Sequence, residues 1–194
     1  MSSRPECEFS RGEQDALLAL ARSAIVAALT GQAPKTSDTE PGCFDLRRGV
    51  FVTIHVYGKL RGCIGVIEGR EPLRAMIVHC ATSAAVHDSR FPALRADELS
   101  GLQIEISILS ELIPIEPDKI EIGKHGLMIS SEQRHGLLLP QVAVEHQLTR
   151  EEFLEETCRK AGLPRDAWRK PETQLSAFTC EVFHDSAPAA AGAE

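Results

Sequence analysis

The first apolar stripe of the chain predicts a helix over residues 11–30. Ser10 and Glu13 stand at the spacing of a capping box just before the stripe. From Leu17 onward, apolar residues recur every three or four positions, as they do on one face of a helix. Gly31 follows the last turn, where a left-handed residue commonly ends a helix. The capping box, the apolar periodicity and the terminating glycine therefore all predict the same amphipathic helix.

Two further stripes predict helices in the middle and near the end of the chain. Pro72 is favoured in the first turn of a helix and opens the second one, which is expected to end near Asp88. Thr149 and Glu152 form another capping box at the start of the third. Gly162 marks the end of that helix.

Alternating apolar and polar residues, or runs of β-branched residues, predict the strands. They are expected over residues 50–57, 60–67, 102–109, 127–131, 136–139 and 175–184. Hairpins or helices of varied length join them, so we expect an α+β fold with a mixed, mostly antiparallel sheet packed with helices. The hairpin over 50–67 is expected at the centre of the sheet.

The turn of this hairpin is predicted at Gly58 and Lys59. Glycine takes a positive φ at the first central position of a type II′ turn, which suits a two-residue connection. This turn sets a register in which Cys63 lies opposite Ile54. Such a register would place the thiol on the apolar face of the first strand.

Composition and charge disfavour several classes of function. The 194 residues carry a net charge of -7, and the scattered basic residues form no patch, so nucleic-acid binding is not expected. No segment reaches the roughly 20 apolar residues of a membrane span. The first residues also lack the apolar core of a secretory signal, so we expect a cytoplasmic protein without a membrane partner. The six cysteines form no C-x-x-C pair and are expected to be free thiols.

Candidate chemistry is concentrated in residues 60–65, Leu-Arg-Gly-Cys-Ile-Gly, which we call the LRGCIG segment. Gly62 and Gly65 weaken a strand and usually mark a bulge or the close approach of another backbone or a ligand. Arg61 near Cys63 would favour the thiolate, the nucleophilic form. Three roles stay open: a reactive Cys63, a buried structural Cys63, and ligand binding by the backbone around the two glycines.

Asp88 is predicted at the C-terminus of a helix, where the helix dipole disfavours a carboxylate. It therefore requires a cation, which Arg61, Arg90 or Arg95 could supply. The pair would either be a structural salt bridge that fixes the chain where it leaves the helix, or position Asp88 as a catalytic acid. We favour Arg61 as the partner, with Asp88 and Arg90 forming one wall of a functional cleft.

Two more residues are candidates outside the LRGCIG segment. His125 lies between glycines in a predicted turn and is either a base or ligand, or simply a turn residue. Pro140 can start a short helix to His146, and Gln141 near its start either offers its amide to a ligand or is solvated. Histidine and cysteine spacings match no metal site, and no nucleotide-binding loop occurs. The sequence predicts no metal and no cofactor of its own.

Several segments together resemble one family. They are Leu60-Arg61-Gly62-Cys63-Ile64-Gly65, Pro72-Leu73, Ala84-Ala85, Asp88-Ser89-Arg90-Phe91-Pro92, Gly123-Lys124-His125-Gly126-Leu127, Gly136-Leu137-Leu138-Leu139-Pro140-Gln141-Val142, Glu152-Phe153-Leu154 and Lys160-Ala161-Gly162-Leu163-Pro164. Residues 12–184 thus resemble the AMMECR family, whose microbial members are called protein A of the AmmeMemoRadiSam system. Two departures stand out: Ser89 replaces the usual Pro, and Gln147-Leu148 replaces the usual Gly-Trp.

The resemblance implies an α+β fold with a larger and a smaller subdomain and a cleft between them. It also implies two partners, a Memo-type protein related to extradiol dioxygenases and a radical SAM enzyme. We expect an extension over 1–10, the AMMECR-like domain over 11–184 and a disordered tail over 185–194. One hypothesis is a binding protein that holds a small molecule or peptide beside the LRGCIG segment. The other is an enzyme in which Cys63 is a nucleophile or redox-active thiol, assisted by Arg61, Asp88 and His125.

Overall fold

The computed structural model describes residues 9–32 and 42–185, which belong to two compact units. The first unit comprises the described residues up to Ile108 and those from Glu181 onward, and the second is Leu109–Cys180. Among the described residues, no helix combines the length and apolar character needed to cross a membrane. Most of the predicted extension and tail, residues 1–8 and 186–194, lies outside the described residues.

The described elements follow one another along both units. In chain order they are α1 (Arg11–Thr30), β1 (Val50–Val56), β2 (Lys59–Val66), α2 (Leu73–Val86), β3 (Leu102–Leu109), β4 (Ile113–Pro114), β5 (Gly126–Ser131), β6 (Arg134–Leu138), α3 (Pro140–Glu145), α4 (Arg150–Lys160), β7 (Gln174–Phe178) and β8 (Cys180–His184). Every strand pairing whose register is defined is antiparallel. The predicted α+β class is therefore confirmed.

Both predicted capping boxes are present. At the start of α1, the Ser10 hydroxyl accepts the Glu13 N–H and the Glu13 carboxylate accepts the Ser10 N–H. Gly31 ends the same helix with a φ of 70°. Thr149 and Glu152 make the reciprocal bonds at the start of α4. Each box satisfies backbone donors that the first helical turn leaves without partners, which stabilises the helix by about 1 kcal/mol.

The sheet of the first unit has the strand order β2-β1-β3-β8. One face of β1 and β3 is fully buried and packs with α1 and α2 to form the core; its residues are Val50, Val52, Ile54, Val56, Leu102, Ile104, Ile106 and Ile108. Burial of each such side chain contributes about 1.5–3 kcal/mol. β1 is an inner strand, but β2 is at the edge, so the prediction of a central hairpin is wrong for its second strand.

The hairpin turn lies one residue earlier than predicted. Val56 pairs with Lys59, so the two turn residues are Tyr57 and Gly58. Their φ angles are 49° and 75°, which is the type I′ pattern that matches the twist of a hairpin. A tyrosine seldom adopts a positive φ. Here its N–H donates to the carbonyl of Gly101, which holds it in place.

A β-bulge follows the turn and reverses the predicted side of Cys63. With the turn alone, Cys63 would lie opposite Val52 on the buried face. The register shifts by one residue at Ile54, which pairs with Gly62 and leaves Arg61 without a partner in β1. Cys63 consequently lies opposite Thr53, away from the core.

The second unit contains a sheet of order β4-β7-β5-β6 covered by α4. Its core consists of Ile120, Leu127, Ile129, Ala143, Phe153, Leu154, Cys158, Ala167 and Ala177. The single strand predicted over 175–184 is wrong, because it divides at Thr179 into β7 of this sheet and β8 of the other. Thr179 exchanges two hydrogen bonds of 2.9 Å with Ser110, which fixes the break.

We expect Gly62→Ala to lower the free energy of unfolding by about 1–3 kcal/mol, as overpacking does. A β-carbon on Gly62 would lie 2.1 Å from the backbone oxygen of Ala84 in α2. Neither backbone can yield without moving the hairpin or the helix. Urea unfolding at neutral pH measures the loss.

Gly12→Ala is the matched control for this prediction. A β-carbon on Gly12, in the first turn of α1, would meet nothing within 4 Å. Because alanine favours helix over glycine by up to about 1 kcal/mol, this variant should be neutral or slightly more stable. Equal effects of the two substitutions would refute the close-packing role of Gly62.

Candidate functional site

The backbone of Cys63 is held by two side chains from the segment after α2. The Cys63 N–H donates to Oδ2 of Asp88 at 2.9 Å, and Nη2 of Arg90 donates to the Cys63 carbonyl at 2.8 Å. β2 is an edge strand, whose outward N–H and C=O groups would otherwise lack a strand partner. Asp88 and Arg90 therefore take the place of a neighbouring strand at the middle of the LRGCIG segment.

Asp88 lies just beyond the C-terminus of α2 and forms its ion pair with Arg90. The Nε and Nη2 atoms of Arg90 lie 2.9 Å and 2.7 Å from the two carboxylate oxygens. The side chain of Asp88 is only 4% exposed. The hydrogen bond from the Arg90 side chain, followed by that from the Cys63 N–H, holds the pKa of Asp88 well below its usual range. Both carboxylate oxygens are thus occupied by structural bonds that pin the helix exit.

Arg61 does not reach Asp88, contrary to our expectation. Its Nε and Nη2 atoms each donate to Glu98 at 2.9 Å, and its Nη1 donates to the Pro92 carbonyl at 3.1 Å. The same bidentate bond lowers the pKa of Glu98. The anionic partner of Arg61 is therefore Glu98, in the turn before β3.

Cys63 is half-buried and is not part of the apolar core. The Thr53 hydroxyl donates to its sulfur at 3.3 Å. The structural alternative that placed this thiol in the core, opposite Ile54, is therefore wrong. Burial raises the pKa of Cys80 to about 11 and is also the main reason that the pKa of Cys43 rises to about 11. These two residues are inert structural thiols by comparison.

The register places further polar residues beside Cys63 on the same face. Thr53 stands between Cys63 and Glu105, and His55 pairs with Gln103 in the next row of that face. All five are half-buried, whereas the opposite face of β1 is fully buried. Sequence analysis missed the other four residues. The strict alternation of residues 50–56 carried the signal, because residues that alternate with a buried face share the other one.

The two glycines of the LRGCIG segment allow close approach, as predicted. Gly62 faces the Ala84 backbone, and Gly65 lies under the Phe51 ring, whose nearest atom would be 2.2 Å from an added β-carbon. The groups that approach are the chain's own helix and its own aromatic ring. Gly62 therefore lets α2 pack against the hairpin, and Gly65 leaves room for the Phe51 ring.

His125 and Gln141 belong to the second unit and have local surroundings there. Nδ1 of His125 accepts the Glu121 N–H at 3.1 Å, and burial lowers the pKa of the imidazole. The side-chain oxygen of Gln141 is buried and has no hydrogen-bond partner in the described residues.

Within the described residues, no three His, Cys, Asp or Glu side chains are grouped as a metal site would require. The cysteines there are free; they are Cys43, Cys63, Cys80, Cys158 and Cys180. The sixth, Cys7, lies outside the described residues.

The sequence pattern of the AMMECR1 family matches residues 18–183. The chain belongs to the AMMECR1 family. A protein from Methanothermobacter thermautotrophicus is 42% identical over 185 residues, covering 91% of this chain and 96% of the relative. One from Aquifex aeolicus is 41% identical over 180 residues, covering 89% and 92%. The crystal structure of an uncharacterised protein from Pyrococcus horikoshii matches with a TM-score of 0.84 and 36% identity, over 94% of this chain and 96% of that one.

Asp88→Asn should lower the free energy of unfolding at neutral pH by about 1–3 kcal/mol, because charged hydrogen bonds are lost. The pKa of Asp88 is depressed by folding, so its stabilising effect is complete above the unfolded value of about 4 and is lost as pH falls through the folded value. The difference from wild type should therefore be constant above pH ~5 and shrink in acid. Urea titrations at several pH values measure it.

Asp97→Asn is the control, since Asp97 forms an exposed ion pair with Arg95. It should change stability by less than about 1 kcal/mol at every pH. If the Asp88→Asn deficit persists undiminished in acid, the loss comes from packing and not from the ionised carboxylate.

Proposed function

We propose that this AMMECR1-family chain is a non-catalytic binding protein that holds a small molecule or peptide beside the LRGCIG segment. We further propose that it works with a Memo-type protein and a radical SAM enzyme, as the family resemblance implies. The observation that carries the first proposal is the state of the charged groups. Arg61, Asp88 and Glu98 all direct their hydrogen bonds to other parts of the same unit.

Groups engaged in this way shape a surface but are poor acids, bases or electrophiles. A general acid or base must have a free atom within reach of the substrate proton. The buried carboxylate of Asp88 accepts from the backbone N–H groups of Cys63 and Arg90 and from the Arg90 side chain. Arg61 uses all three of its side-chain nitrogens. What remains is a rigid surface beside the edge of the sheet.

Arg90 offers this surface one fixed donor. Its side chain is 57% exposed, and its Nε and Nη2 atoms are bound to Asp88 and Cys63. No described residue accepts a hydrogen bond from its Nη1 atom. Because the other edge of the guanidinium is clamped, Nη1 can meet a ligand carbonyl or carboxylate without losing side-chain freedom. Cys63 and Thr53 are close by and add a thiol and a hydroxyl.

A second candidate function is an enzyme of the same system in which Cys63 reacts as a nucleophile or redox-active thiol. One observation favours it: the sulfur is half-buried, outside the core, and accepts a hydrogen bond from Thr53. The Arg90 guanidinium is near the thiol, since Asp88 first and the Cys63 side chain after it raise the pKa of Arg90.

The experiment is co-purification of the chain with the Memo-type protein and the radical SAM enzyme, followed by mass spectrometry of any retained small molecule or peptide. The binding function predicts that Cys63→Ala and Cys63→Ser retain the partners and the system activity, and that each lowers ligand retention by less than Arg90→Gln does. Arg90→Gln should lower ligand retention by about tenfold, the effect of losing roughly 1.4 kcal/mol. Arg95→Gln is the control, because Arg95 is exposed and forms its ion pair with Asp97.

Alkylation of the native protein by iodoacetamide between about pH 6 and 9 separates the two functions. A Cys63 that resists alkylation, in a protein whose activity survives Cys63→Ala, supports the binding protein. If alkylation of Cys63 and the conservative Cys63→Ser change each abolish activity while partner binding persists, the proposal of a binding protein is wrong and the enzyme function takes its place.

A further inference from the structure

The second unit contains a groove that is lined by none of the residues of the LRGCIG segment. It has a volume of about 740 Å³ and is lined by α3, α4, the end of β6 and the following loops. Three apolar side chains line it, Leu138, Val142 and Leu148, and all are half-buried. The volume is within the range of small-ligand sites, which is about 300–1,000 Å³.

The charges in the middle of the α4 rim neutralise one another. Arg165 donates to Glu155 at 3.2 Å and to Glu156 at 3.4 Å. Arg159 donates to the second oxygen of Glu156 at 2.7 Å. These four side chains form a connected ion-pair network, which fixes the shape of the rim.

The two ends of the same rim carry uncommitted charge of opposite sign. At the N-terminal end, Glu152 uses one oxygen in the capping box, and its other oxygen has no hydrogen bond. At the C-terminal end, Lys160 has neither a hydrogen bond nor an ion pair with any described residue. Both side chains line the groove. The groove is therefore dipolar, acidic at one end and basic at the other, with apolar residues in its lining.

The separation of the charged ends sets the length of a matching ligand. Glu152 and Lys160 are eight positions apart on one helix, which is about 12 Å at 1.5 Å per residue. An extended peptide advances about 3.3 Å per residue. Three residues thus span about 10 Å, so a tripeptide with free termini comes within about 2 Å of the separation of the two charged ends.

We infer that this groove binds a short extended peptide of about three residues with free termini. The ammonium group lies at Glu152, the carboxylate at Lys160, and an apolar side chain rests on Leu148 and its neighbours. This site is independent of the proposed function at the LRGCIG segment, since it uses other residues of the other unit.

The test is an NMR titration of the isotope-labelled full chain with the tripeptide Ala-Leu-Ala. We expect saturable shifts at Val142 and Leu148. The same peptide with an acetylated N-terminus and an amidated C-terminus should bind about a hundredfold more weakly, because it loses both charged contacts and each is expected to contribute about tenfold. Lys160→Gln should lower the affinity of the groove for the peptide with free termini by about tenfold.

Lys170→Gln is the matched control, because Lys170 is exposed and outside the groove. It should leave the affinity unchanged. The inference is overturned by an absence of saturable shifts up to about 10 mM peptide, which corresponds to a binding free energy weaker than about 3 kcal/mol. Equal binding of the blocked peptide, or equal loss in both lysine variants, overturns it as well. The inference is also overturned if the same shifts appear when the protein concentration is raised without peptide, since a second copy of the chain would then occupy the groove.

Discussion

The hydrogen bonds between the Cys63 backbone and the Asp88–Arg90 pair are the constraint around which the first unit is arranged. An edge strand needs partners for its outward N–H and C=O groups, and here two side chains supply them. They come from the segment directly after α2, so the helix exit and the hairpin are fixed together. Gly62 makes this possible, because the Ala84 backbone occupies the space that a side chain would need.

This arrangement also limits the chemistry of the site. A buried carboxylate is stable only when it is paired and hydrogen-bonded, and Asp88 meets that requirement through Arg90 and Cys63. Meeting it leaves no free oxygen for proton transfer. The polar groups left over are the thiol of Cys63, the hydroxyl of Thr53 and one nitrogen of Arg90, which together suit recognition of a ligand better than acid–base chemistry.

The features that depend on local interactions, such as helix ends and the pattern of strands, could be predicted from the sequence. The two capping boxes and Gly31 decide the ends of α1 and α4 within a few residues, and both helices were predicted correctly. The antiparallel α+β class followed from alternation along the strands. The partner of Arg61 could not be predicted, because Glu98 is 37 positions away in the sequence. Several pairings between the nearby arginines and acids were also compatible with the sequence. The division of the last strand depends on Ser110, which is 69 positions from Thr179.

The hairpin shows how a small local error changes a chemical conclusion. Moving the turn from Gly58-Lys59 to Tyr57-Gly58 changes the pairing by two positions, which leaves Cys63 on the buried face. The extra residue of the bulge, Arg61, moves the pairing back by one, so the net change is one position, and an odd shift exchanges the two faces of a strand. The bidentate bond to Glu98 and the bond to the Pro92 carbonyl anchor the residue that makes this shift. Arg61 therefore acts on Cys63 mainly through geometry, by holding the bulge that turns the thiol away from the core.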